Sequence, residues 1–328
     1  MSRILLVLDS SRAERWHHLE PYGSWFWGVL HFPNEMADEA QCDAKGVACL
    51  TSEDLPQVCI DAVEASEPKC ATCGCSQPQC SSMANSTLYW GFALHVFEPH
   101  VRVALVLRWL RNRSMMPSRP RWLQLLQARA AHPAHHVRGV LYAHMDLWVL
   151  PFAVAPALSL DRVWLLHGRV KAGSGCMTAA EVISTDGWWC GASSSGWAAM
   201  RMVERQGLLP AMWSEKMLCP GWSDLFYVPT FLANQYNSLA RVFRTHHVVN
   251  EIATHTILRL LASSNGDQVE YLRCAGGALA HVAPEEIGAY PCGHRLDFND
   301  NAQATALTAA LLRHQDARSN VSRQPCNL

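Results

Sequence analysis

Gly139-Val-Leu-Tyr-Ala-His-Met-Asp-Leu-Trp148 holds a buried strand and a candidate ligand group within ten residues. Gly139 to Ala143 run without a polar break, as a strand covered on both faces of a parallel sheet must. Asp146 stands three residues beyond that run. Similar apolar runs occur at Ile4-Leu-Leu-Val-Leu8, Val163-Trp-Leu-Leu166 and Leu225-Phe-Tyr-Val228. After the last run, Leu232, Tyr236, Leu239 and Phe243 follow a helical spacing of 4, 3 and 4. Val249, Ile252, Ala253, Thr256 and Leu260 form a second helical stripe. Strands separated by helices predict an α/β fold, with a single mixed, mostly parallel sheet flanked by helices.

Composition narrows the function. Of 328 residues, 49% are apolar and 17% charged, which excludes a disordered chain. A net charge of −1 leaves no broad basic field for nucleic acid or an anionic membrane, so a ligand needs a local site. The run Ile4 to Leu8 stops at Asp9, short of a signal-peptide core of about 7–15 residues. Arg102, Arg108 and Arg111 break up the longest other candidate, Val101 to Leu110, so no transmembrane segment is expected. As written the chain reads as soluble. A Golgi or ER lumenal location would require an N-terminal leader ahead of the first strand. The thirteen cysteines and the sequons at Asn85, Asn112 and Asn320 leave the compartment open.

Residues 1–302 are expected to form one α/β domain, and 303–328 a tail with one short helical pattern and a polar end. Asp9-Ser-Ser reads as a turn and helix cap after the first strand. Trp25 to Leu30 is another apolar run, stopped near Pro33. Residues 34–86 are polar and Cys-rich and read as a surface insertion. Within it, Cys70-x2-Cys73-x-Cys75-x4-Cys80 is too compact for a zinc finger built from two separated pairs. A disulfide-bearing or unstructured loop is the preferred reading there. Leu88 to Ala131 reads as Arg-rich amphipathic helix with a solvated basic edge, broken at Pro117 and Pro120. Gly173 to Trp197 reads as irregular.

Three constellations can carry chemistry. In open α/β sheets ligands sit beyond the carboxyl ends of the strands, where Asp146 is expected. A carboxylate there can hold a divalent cation that bridges a diphosphate. His144 projects to the same side if the chain is still extended. The competing reading has Asp146 capping a turn and His144 packed under Trp148. In the second constellation, Asp224 immediately precedes a strand, between Trp222 and Tyr227. Flat rings beside an acid suit a sugar or another polyol, unless these residues are core and turn cap. Trp148, Trp222, Tyr227 and His144 are therefore candidate substrate contacts. In the third, His247, Glu251 and His255 recur every four residues on one helix face. Residues eight apart are separated by about 12 Å along the axis, so one ion cannot take all three. An exposed polar face is the preferred reading. No Gly-x-Ser-x-Gly elbow, P-loop or dinucleotide fingerprint is present.

Taken in order, Gly139-Val-Leu-Tyr-Ala-His-Met-Asp-Leu-Trp148, Gly221-Trp-Ser-Asp-Leu-Phe-Tyr-Val-Pro229 and Asn250-Glu-Ile-Ala-Thr-His-Thr-Ile-Leu258 resemble nucleotide-sugar glycosyltransferases of the GT-A fold, above all exostosin-like enzymes. The resemblance covers roughly residues 1–34 and 136–262. It implies transfer of a sugar from a nucleotide-diphosphate donor to an acceptor hydroxyl, helped by Mn²⁺ or Mg²⁺. Asp146 matches the last acid of the family's metal motif, with His144 where the first acid stands. Glu251 matches the late acid that faces sugar and acceptor, and Asp224 lies in the acceptor-side segment. Glu251 and Asp224 are thus the implied catalytic pair and Asp146 the implied metal ligand. The chain departs from the pattern at His144 and at Ile252, where the family carries acids. Two other expectations stand beside transfer: a non-catalytic carbohydrate- or nucleotide-binding relative, and a metal-dependent hydrolase using Glu251 with His247 or His255.

Overall fold

Strand β1 (Ile4–Ser11) sends Leu5 and Val7 to one face and Ile4, Leu6 and Leu8 to the other, and all five are buried. That is why its sequence is continuously apolar and does not alternate with polar residues. The structure is a computed structural model. It describes residues 3–11, 15–33, 36–50, 99–111, 120–130, 133–144, 147–158, 164–165, 199–214, 217–218, 224–246, 248, 250–266, 269–272, 274–275, 282–294 and 296–321.

The other strands of the main sheet are β2 (Gly28–Pro33), β3 (Gly139–Ala143), β5 (Trp164–Leu165), β6 (Leu225–Pro229) and β7 (Glu270–Tyr271). Their order is β2-β1-β3-β6-β5-β7. Three of the five pairings are parallel; β6 runs antiparallel to both of its neighbours. Strand β4 (Leu147–Val149) leaves this sheet and pairs antiparallel with β8 (Cys292–His294).

Two apolar layers cover the sheet. On one face, Val140, Tyr142, Phe226 and Val228 meet α3 (Pro99–Arg111), α4 (Arg121–Arg129), α6 (Ala233–Thr245) and α7 (Asn250–Ser264). On the other, Leu141, Ala143, Leu225 and Tyr227 meet α1 (Trp16–Leu19), α5 (Pro151–Leu158), α8 (Asn301–Val321) and the β4–β8 ribbon. The protein is therefore α/β, with a mixed, mostly parallel sheet flanked by helices. Burying a side chain such as Phe243 or Leu6 contributes about 1.5–3 kcal/mol. Among the described residues, no helix is long and apolar enough to cross a membrane.

Several local readings change. Asp9-Ser-Ser does not turn: β1 continues to Ser11, with a register irregularity after Leu8. Asp9 can stay buried in the strand because Arg102 of α3 pairs with it and the Tyr142 hydroxyl donates to it. The segment after Pro33 opens with a helix, α2 (Met36–Lys45), closed back on the sheet by the Cys42–Cys49 disulfide and a bridge from Cys49 to His31. The remainder of the Cys-rich segment, including Cys70 to Cys80, lies outside the described residues. At the other end, α8 is far longer than the short pattern expected and starts before residue 303. Its Ala304, Leu307, Ala310 and Leu311 are core.

Candidate functional site

The carboxyl end of β3 and the amino end of β6 meet, because the two strands are antiparallel and Ala143 pairs with Leu225. One residue further, the His144 N–H donates to the Asp224 carbonyl at 2.8 Å. The chain then turns into β4, with the Leu147 N–H donating to the His144 carbonyl at 3.0 Å. Asp146 lies between these two residues in sequence and outside the described residues. Its two flanks are nevertheless fixed: His144 on Asp224, and Leu147 opposite His294 of β8.

His294 is the residue that sequence reading missed. Its Nε2 lies 3.7 Å from Asp224 Oδ2, within ion-pair range but longer than a hydrogen bond. The imidazole is 5% exposed and the carboxylate 23%. Nothing in Cys292-Gly-His marks a functional histidine. It reaches the rim only through the long-range β4–β8 pairing. An imidazole and a carboxylate of this kind are donors that Mn²⁺ accepts, with oxygen-rich company preferred. Among the described residues, no three His, Cys, Asp or Glu side chains cluster as a metal site.

The other candidates divide. Trp148 and Tyr227 are fully buried in the second layer, so neither ring offers a face to solvent. The Trp148 indole lies over Gly293 and the Tyr227 ring over Gly139, where a Cβ would collide with each ring. Trp222 lies outside the described residues. Glu251 is in the first turn of α7; its side chain is not among those described. Its neighbour Asn250 is anchored through Oδ1, which accepts from the Thr254 hydroxyl at 2.7 Å and contacts His100 Nδ1 at 3.4 Å. Burial lowers the His100 pKa to about 4, opposed in part by the Asn250 contact.

The exposed polar face expected around His255 is not found. Residues 252–258 are all buried, His255 included, because α7 packs against α3, α6 and β5. His247 lies outside the described residues.

A second polar group occupies the first layer. Arg102 joins Asp9 and lies over the Phe32 ring, 4.9 Å from its centroid. Burial lowers the Arg102 pKa to about 10, which leaves it charged at neutral pH. In sequence, Arg102 had only the look of an interruption in an apolar run. By contrast Arg108, Arg111 and Arg121 are exposed, as the solvated basic edge required. Arg111 donates to the Phe231 carbonyl at 3.1 Å, and Arg121 pairs with Asp43 at 2.9 Å. A scan against protein-family models finds no match to this chain, and a search of curated proteins finds none either.

Proposed function

We propose that the chain is a GT-A-type glycosyltransferase that moves a sugar from a nucleoside-diphosphate donor to an acceptor hydroxyl. One observation carries the reading: at the rim where β3 ends, His144 is bonded to Asp224, Leu147 is paired with His294, and the His294 imidazole faces the Asp224 carboxylate. Ligands of open α/β sheets bind outside such strand ends. Two further features support it. The first strand lies beside β3 in the sheet, and Glu251 stands in the first turn of a late helix, where the resemblance puts an acid.

Asp146, Asp224 and His294 supply oxygen and nitrogen donors that suit Mn²⁺ or Mg²⁺. When bound, such a cation neutralises charge on a leaving nucleoside diphosphate. Glu251 or Asp224 would orient the acceptor hydroxyl or take its proton. The partly exposed Asp224 carboxylate can face substrate and His294 together. Trp148 and Tyr227 are buried in the core, so the sugar is left to Trp222 and the polar groups.

The test is calorimetric binding of UDP with and without Mn²⁺, repeated with Asp146→Ala. Wild type is expected to bind at least about tenfold tighter with Mn²⁺, and the variant to lose that gain. Equal affinity in all four conditions removes the metal role and with it the proposal.

The departures at His144 and Ile252 favour one second reading, a relative that binds the donor without turning it over. Release of UDP from a panel of sugar nucleotides separates the two, since only an active enzyme hydrolyses its donor slowly when no acceptor is present.

A further inference from the structure

His294 reaches Asp224 only because β8 is held in place, and β8 is very short. On one side it pairs with β4, with Leu147 opposite His294 and Val149 opposite Cys292. On the other side lies the segment around Ala275. The Ala275 N–H donates to the Cys292 carbonyl at 2.8 Å, and the His294 N–H donates to the Ala275 carbonyl at 3.1 Å. A ribbon of two or three such bonds is marginal by itself. The Cys274–Cys292 disulfide crosses this join, closing a sequence separation of 18 residues. Cys292 is fully buried, while Cys274 is partly exposed.

We propose that the Cys274–Cys292 disulfide is a redox latch on the candidate site. Closed, it holds β8 so that His294 faces Asp224. Opened by a dithiol reductant, it frees β8 and weakens the hold on a nucleoside diphosphate. The ligand part of this statement rests on the transferase reading; the structural part does not.

The chemistry is ordinary thiol–disulfide exchange. A thiolate of the dithiol bonds to Cys274 Sγ, the partly exposed partner, and the S–S bond breaks. Cys292 leaves as a thiolate and takes a proton. The second thiol of the reductant then attacks the mixed disulfide, releases Cys274 as a thiol and leaves as a cyclic disulfide. Two electrons and two protons pass to the protein.

The full chain is first mapped without reduction, and a Cys274–Cys292 peptide is expected. Finding either cysteine free or joined elsewhere overturns the latch. Hydrogen exchange is then followed in oxidised, dithiothreitol-treated and reoxidised protein. Reduction is expected to speed exchange at both segments, read at the Leu150 amide bonded to Pro291 and the His294 amide bonded to Ala275, about tenfold or more, reversibly, with the β1 and β3 amides unchanged. Cys274→Ser should do the same, and Cys42→Ser with Cys49→Ser should not. If Cys274→Ser fails to fold, the reversible reduction of wild type still decides. Unchanged exchange at both segments on reduction sinks the proposal.

UDP with Mn²⁺ is the ligand probe. About tenfold weaker binding after reduction supports the latch. Equal binding in both states, with altered exchange, overturns its role at the site. Altered exchange with no UDP binding in any state counts against the transferase reading and leaves the structural latch in place.

Discussion

Asp224 serves the rim with two different atoms. Its carbonyl accepts the His144 N–H, and its carboxylate faces His294. Asp224→Asn keeps the first contact and the shape but removes the charge. It should leave the urea midpoint nearly unchanged and weaken Mn²⁺-dependent UDP binding about tenfold. A large fall in midpoint with binding intact would make the residue structural. Glycines set a different limit. At Gly139 any Cβ meets the Tyr227 ring, and at Gly293 it meets the Trp148 indole. Both sites are fully packed, so each Gly→Ala change should cost about 1–3 kcal/mol through overpacking. Denaturant titration reads that cost. Gly293→Ala should also disturb His294, its neighbour on β8, and so reduce UDP binding. Gly139→Ala, at the opposite end of β3 from the rim, should reduce UDP binding less.

Helix α8 shows how one element depends on its start. The Asp300 carboxylate accepts the N–H groups of Ala302 at 2.8 Å and Gln303 at 3.4 Å. The Gln303 amide in turn accepts the Asp297 N–H at 2.9 Å. Asp300→Ala should therefore cost about 1 kcal/mol, measured as a lowered thermal midpoint. The length of α8 was hard to read because Ala dominates its first turns. Ala favours helix by propensity but gives no apolar stripe to follow. The continuous apolar runs at 4–8, 139–143 and 225–228 were legible because both sheet faces are covered. Strands β4 and β8 were not, since three residues carry no period and each finds its partner far along the chain. The site follows the same division. Asp224 could be picked out beside its strand, whereas His294 needs a tertiary pairing to acquire meaning. The His255 face was misjudged for a related reason: spacing shows which residues share a face, not what packs against it. Three elements cover α7 and bury His255.

Over the whole molecule, buried histidines tie stability to acidity. Burial lowers the His31 pKa to about 3 and the His100 pKa to about 4. His31 lies beside the Trp16 ring, and His100 beside Asn250 with the positive field of Arg244. Both imidazoles stay neutral in the native protein while the unfolded chain titrates near 6.5. Above that pH the two states bind these protons equally and nothing is lost. Below it the unfolded chain takes protons that the native form refuses, so stability falls as pH drops. Each histidine can contribute a slope of up to about 1.4 kcal/mol per pH unit. Urea midpoints at pH 7 and pH 5 should differ accordingly, and His100→Gln should flatten the dependence. A midpoint independent of pH over that interval would mean that the imidazoles reach solvent.

The pairing of Leu147 with His294 also has a consequence in time. A ribosome makes the chain from its amino end, so β1, β2 and β3 are all made before β4. The partner of β4 follows only after β6, α6 and α7 have been made. The rim where β3 ends therefore stays half-built on the nascent chain until then, and the last wall to arrive is the one that carries the histidine.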